Sequence, residues 1–302
     1  YALIGSEGYM AGDFSYAPYF ERIHPYLLAL SRGIAPLLIN TPLRSHGVAV
    51  LWSHASYSAS FMDDRFFNPK DSIGPFIQQC YRSGITFDFL SSRMVEEGGL
   101  SGYRILFLFG VSALSEKECA RITEFVRGGG MVVADLNPGI LNEHCRPLEK
   151  SRLSALFGGA PITGQAQFVL GPVHVDADIG GQKIRFDAEK VRTSPETGQF
   201  IVSRVGSGTA VLLNFNLGAA ENTATAATPF AGFLRNLLSV AGVQPECSVS
   251  GFVSNRPVVR LRGTDECSVV AILGTQRDVG STVTVSFPEE RWFYRVDGGF
   301  IS

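Results

Sequence analysis

Three pairs of identical adjacent carboxylates stand out in the 302-residue chain: Asp63-Asp64, Glu96-Glu97 and Glu289-Glu290. Two carboxyls can share the acid and base roles of a hydrolysis if they face each other across the bond. Neighbours on a strand point to opposite faces, so adjacency alone makes no such pair. Glu96-Glu97 and Glu289-Glu290 read as solvated loop residues. Asp63-Asp64-Arg65 keeps different company, with Trp52, His54, Tyr57, Phe61, Phe66 and Phe67 close by in sequence. Rings offer an apolar face to a sugar, and charged groups bind its hydroxyls. The same residue types are enriched at protein interfaces. A loop folded over its own domain is the third reading, and the residues alone leave all three open.

Other chemistries find less support. His24, His46, His54, His144 and His174 are scattered, and no CxxC pair or Cys/His cluster has metal spacing. Neither a metal nor a cofactor is expected. Cys80, Cys119, Cys145, Cys247 and Cys267 are odd in number and far apart. They read as buried thiols of a reducing compartment, so a cytoplasmic protein is expected. The run from Gly5 to Gly12, GSEGYMAG, lacks the Lys and the preceding strand of a phosphate loop.

Composition narrows the class. A net charge of −2 gives no basic excess for nucleic acid. With 45% hydrophobic and 18% charged residues the chain is not a disordered one. No uncharged apolar run approaches the roughly 18–20 residues of a membrane span. The length suits about two domains. The chain opens at Tyr1 without a basic leader, and the missing Met points to a piece of a longer protein.

The elements that must position these residues follow a strand–helix rhythm. VAVLW (48–52) is short and wholly apolar, as is a strand covered on both faces. A polar-aromatic loop is predicted over 53–70. A helix with Ile73, Phe76, Ile77, Cys80 and Tyr81 on one face follows and stops at Gly84. ITFDFL (85–90), RILFLF (104–109) and MVVAD (131–135) are further strands. Ser115 with Glu118 forms a capping box for a helix carrying Ile122, Phe125 and Val126. FIVSRV (200–205) and TAVLLNF (209–215) flank a three-residue hairpin turn. Thr228 and Pro229 open a helix with Phe230, Phe233, Leu234, Leu237 and Leu238 on one face, closed by Gly242. Before all this, 23–34 reads as a helix with Gly33 as its cap. After Pro245, short alternating strands predict a small antiparallel β-sandwich domain. The expected fold is therefore α/β: a doubly wound, flavodoxin-like parallel sheet, then the β domain.

The run from GVAVLWS through GITFDFL to YRILFLFGVSALSEKECARITEFVRGGGMVVADLNPGILNE resembles the trimerisation domain of family-42 β-galactosidases, which itself resembles the class I glutamine amidotransferase fold. SRVGSGTAVLLNFNL and GFLRNLLSVAGV are similar to that domain's closing hairpin and helix. The resemblance implies a domain plan. Residues 1–46 would be the tail of a (β/α) barrel, 47–244 the amidotransferase-like domain, and 245–302 the start of the β domain, truncated at its end. Glu7 as a barrel residue near a sugar site is the lesser alternative, since the barrel itself is absent from the chain. Amidotransferases carry a nucleophilic Cys on the turn after the third strand. Val111 stands at that position and has no nucleophilic atom, and no GxSxG surrounds the neighbouring Ser112. The acid and nucleophile of the galactosidases lie on the barrel, so no catalytic residue carries over. The expected role is a non-catalytic accessory and oligomerisation region of a glycoside hydrolase. Its partners would be a second copy of itself, with a trimer as the implied state, and a carbohydrate substrate reached through the parent enzyme. A free-standing hydrolase and a carbohydrate-binding module without chemistry are the alternatives.

Overall fold

The computed structural model describes residues 13, 15, 18–29, 31–32, 35–63, 66, 68–163, 169–194, 200–217, 229–251, 258–263, 268–273, 282–288, 296–297 and 300–301. The elements run α1 (Pro18–Ala29), α2 (Ala35–Asn40), β1 (Val48–Trp52), α3 (His54–Met62), α4 (Lys70–Ser83), β2 (Asp88–Ser91) and α5 (Ser92–Glu96). Next come β3 (Ile105–Leu108), α6 (Glu116–Arg127), β4 (Met131–Ala134), β5 (Val169–Ile179), β6 (Gln182–Thr193), β7 (Ile201–Val205), β8 (Gly208–Leu212) and α7 (Pro229–Val240). The short strands β9 (Ser248–Ser250), β10 (Val258–Gly263), β11 (Ser268–Leu273), β12 (Thr284–Ser286), β13 (Val296–Asp297) and β14 (Phe300–Ile301) complete the order. The predicted cap Gly33 and the predicted helix start Thr228 lie outside the described residues.

The chain divides into two compact units. One comprises Tyr1–Arg44, Arg262–Val270 and Phe287–Ser302, the other Ser45–Leu261 and Ala271–Ser286. In the first, the Arg262 guanidinium donates to the carbonyls of Thr41 (2.6 Å) and Leu38 (2.7 Å). A cation there satisfies the orphan carbonyls at the end of α2. β13 and β14 pair antiparallel in the same unit.

The second unit is built on a six-stranded sheet in the order β2-β1-β3-β4-β8-β7. The first five strands are parallel, and β7 runs antiparallel to β8. Alternation explains why these strands had to be apolar throughout. Val48, Val50, Ile105, Phe107, Met131, Val133 and Val211 face one core. Ala49, Leu51, Leu106, Leu108, Val132, Ala134, Ala210 and Leu212 face the other. On the first face pack Ile73, Phe76 and Cys80 of α4 and Phe233, Leu234, Leu237 and Leu238 of α7. Val95 of α5 and Cys119, Ile122 and Val126 of α6 cover the second. Phe76 is fully buried against Phe107 (centroids 4.8 Å apart) and Phe109 (5.2 Å). The capping box of α6 is present, with Ser115 and Glu118 each bonded to the other's backbone N–H.

Three local predictions are corrected. The stretch after β1 is a helix, α3, rather than a loop. Ser53 caps it by accepting the Ser56 N–H, and HASYSASFM holds no Gly, Pro or β-branched residue to break it. The β7–β8 turn has two residues, not three, because Val205 pairs with Gly208 and Gly206 takes φ 61°. A long antiparallel hairpin, β5–β6, lies where no strand was predicted. Its Val173, Val175, Ile179, Ile184, Phe186 and Val191 add to the first core, and Phe186 stacks on Phe215 at 5.0 Å.

The fold is thus α/β, with a mainly parallel sheet and separate antiparallel pairs, β5–β6 and β9–β12 among them. No helix among the described residues is long and apolar enough to cross a membrane.

Candidate functional site

The C-terminal ends of parallel strands are where an open α/β sheet gathers its ligand-facing loops. Trp52 ends β1 there, and α3 starts two residues later. Its start is bolted to the turn after β3. Ser53 Oγ and Ser56 Oγ both donate to the Ala113 carbonyl (3.2 and 3.3 Å), and Ser56 Oγ accepts the Ala113 N–H at 2.9 Å. This anchor fixes the outer face of α3.

An aromatic ladder runs along that face. The Trp52 ring lies 5.3 Å from Tyr57 and meets Phe89 edge-on at 6.4 Å. Tyr57 meets Phe61 edge-on at 4.9 Å, and the Lys70 ammonium sits 5.1 Å from the Tyr57 ring. Inward, Phe89 contacts Phe87 and Phe87 contacts Phe76, so the ladder is rooted in the core. Outward it is open: Phe61 is 68% exposed, Met62 84% and Phe89 44%.

The other predicted site residues divide. His54 is exposed, its Nδ1 3.3 Å from Ser58 Oγ. Asp63 caps α3 by donating its N–H to the Ala59 carbonyl. Phe66 is half-buried and packs against the second core, so its ring is used inwards. Asp64, Arg65 and Phe67 lie outside the described residues. Sequence reasoning missed Phe89, Met62 and Lys70. Phe89 carried a signal, since Phe87 and Phe89 alternate with Asp88 and Leu90.

The turn after β3 is closed. Val111 is 1% exposed and belongs to the second core. Its carbonyl accepts the Gly139 N–H, and that of Ser112 accepts the Leu141 N–H. Ser112 is buried, and its Oγ has no hydrogen-bond partner among the described residues, His included. Gly110 takes φ 61°, and a Cβ on it would stand 2.8 Å from Pro69 Cα. Only glycine fits that approach.

Beside this turn lies a buried carboxylate that the sequence reading did not single out. Asp135, just past β4, accepts the N–H groups of Gly110 (2.9 Å) and Leu136 (2.7 Å) through Oδ1. Burial pushes its pKa up to about 7, against the lowering effect of those two bonds. The Ser72 hydroxyl lies close enough to favour the charged form too, but Oδ2 has no partner at hydrogen-bond geometry among the described residues. Buried Asn137 and Asn214 flank it in left-handed conformations, φ 45° and 60°. The signal was a lone acid closing the apolar run MVVAD.

Chemically, this edge offers a ring surface for binding. Its hydroxyl–imidazole contact, Ser58 Oγ to His54 Nδ1 at 3.3 Å, lies exposed on α3, and among the described residues no group of three His, Cys, Asp or Glu side chains could hold a metal ion.

No protein-family model matches the chain, and no curated protein does. Solved structures do. A catalytic mutant of Gan42B, a GH42 beta-galactosidase from G. stearothermophilus, matches with TM-score 0.63 at 16% identity, over 87% of this chain and 39% of that one. The beta-galactosidase from Bacillus circulans sp. alkalophilus gives 0.61 at 19%, over 84% and 38%. That of the haloarchaeon Halorubrum lacusprofundi gives 0.53 at 14%, over 92% and 44%. The chain therefore spans less than half the length of these enzymes and shares the fold of that portion.

Proposed function

We propose that the chain is a non-catalytic accessory and oligomerisation region of a β-galactosidase-like glycoside hydrolase. The observation that carries this reading is the likeness just described: most of this chain aligns with about 38% of a galactosidase chain, at TM-score 0.61. The strand order β2-β1-β3-β4-β8 supports a flavodoxin-like, amidotransferase-like core over 47–244. On this reading 1–46 ends a barrel and 245–302 begins a β-sandwich domain. Buried Val111 in place of a nucleophile supports a scaffold rather than a second catalytic centre. The open rings of Phe61 and Phe89 support a contact with another copy of the chain, as a trimer. The proposed setting is the cytoplasm, which suits thiols at Cys80, Cys119, Cys145 and Cys247 that form no disulfide.

The test compares the chain with the longer protein encoded around it. Aryl β-galactoside turnover is expected from the longer protein and not from the chain. Turnover by the chain itself, abolished by one Asp or Glu substitution within it, would overturn the reading.

A further inference from the structure

The opposite, N-terminal edge of the sheet carries a groove of about 810 Å³ within the second unit. That volume lies in the range of small-molecule sites. Its walls hold three guanidinium groups, from Arg104, Arg121 and Arg204, against one carboxylate, from Glu124. A chain with net charge −2 thus has a local excess of positive charge at one concave place.

The three arginines are differently occupied. Helices α6 and α7 end at this edge, and the carbonyls at such ends attract cations. Arg104 answers one of them, donating Nη1–H to the Gly242 carbonyl. This holds its planar fork in place with further N–H groups unspent. Arg121 is shared with Glu124 at 2.8 Å. Arg204, on β7, makes no ion pair among the described residues. Its Nη2 lies beside the β5–β6 turn, 3.5 Å from where a Gly180 Cβ would stand. Neutralising helix ends therefore explains Arg104, pairing explains Arg121, and neither explains Arg204. Hydroxyls of Ser101, Ser207 and Thr209 line the same walls.

We propose that this groove binds a small hydroxylated oxyanion, a sugar phosphate or a sugar acid, through Arg204 and Arg104. Guanidinium forks match phosphate and carboxylate oxygens, and the wall hydroxyls match those of the sugar. The site is separate from the aromatic edge and does not depend on the galactosidase reading.

Calorimetric titration of the full chain with four probes tests it: a hexose 6-phosphate, a hexuronate, the plain hexose and inorganic phosphate. One or both anionic sugars are expected to bind one to one, more tightly than inorganic phosphate, with no heat from the plain hexose. The stronger of the two identifies the anion. Affinity should fall with added salt and drop about tenfold or more in Arg204→Gln, since charge-assisted bonds are the strong ones. Arg146→Gln, outside the groove, should bind as wild type. Unchanged melting of Arg204→Gln would show that the loss is not unfolding. Absence of binding by both anionic sugars at millimolar concentration would overturn the proposal. So would binding that Arg204→Gln leaves intact.

Discussion

Asp135 Oδ1 accepts the Gly110 N–H at 2.9 Å, which ties the end of β4 to the turn after β3 through a fully buried carboxylate. Its pKa stands at about 7 in the fold, against about 3.9 for an unfolded Asp. Between those values the folded state holds a proton that the unfolded state has lost. Stability is therefore greatest below the unfolded value and falls as pH rises, until the folded group also ionises. The span is on the order of 4 kcal/mol. Asp71, also raised by burial, adds in the same direction. In Asp135→Asn the amide oxygen keeps both backbone bonds, and the pH-dependent loss should shrink sharply. Urea midpoints at about pH 5 and about pH 8 measure this. A variant with the wild-type pH slope would show that Asp135 does not hold its proton.

Gly110→Ala should be costly. The residue takes φ 61°, and its new Cβ would meet Pro69 Cα at 2.8 Å. Backbone strain and overpacking together predict a loss of about 2–4 kcal/mol in urea unfolding. A loss under about 0.5 kcal/mol would mean that Pro69 and the start of α4 yield freely.

What the sequence told and withheld follows from range. The parallel strands were legible because burial on both faces forces VAVLW and MVVA to be apolar throughout. The α6 start was legible because Ser115 and Glu118 are three residues apart, and the capping box is local. The β5–β6 hairpin was legible too and was overlooked: Val173, Val175, Ala177 and Ile179 alternate with His174, Asp176 and Asp178, and Gly180-Gly181 marks the turn. Helix α3 was hidden because its rings carry no apolar stripe, and its anchor, Ala113, lies far along the chain. The exposure of Phe89 depends on β2 being an edge strand, which element order does not reveal. For the same reason nothing local told that Phe66 turns inward while Phe61 turns out.

The α6 cap can be tested directly. Ser115 Oγ accepts the Glu118 N–H at 3.1 Å and donates to Glu96 Oε1 at 2.6 Å. Ser115→Ala removes both bonds and should cost about 1–2 kcal/mol. Ser115→Thr keeps the hydroxyl and should recover most of it. Equal urea midpoints for the Ala variant and wild type would mean that water replaces the cap without cost.

Self-association can be separated from folding with two phenylalanines five residues apart. Phe61 is 68% exposed beside exposed Met62, while Phe66 packs against the second core. A carboxylate at Phe61 faces solvent in the isolated chain and costs little there. In an assembly it would be buried without a partner. Phe61→Asp should therefore leave the melting temperature within a degree or so of wild type and shift sedimentation towards the monomer, a readout that a folding defect would not mimic. At Phe66 the charge enters the core of the chain itself, so Phe66→Asp should lower the melting temperature whatever the oligomeric state. The contact would need to bury more than about 1,000 Å² in total to persist at micromolar concentration. If wild type sediments as a monomer at tens of micromolar, or if Phe61→Asp assembles like wild type, the Trp52–Tyr57–Phe61 ladder is not where copies of this chain meet.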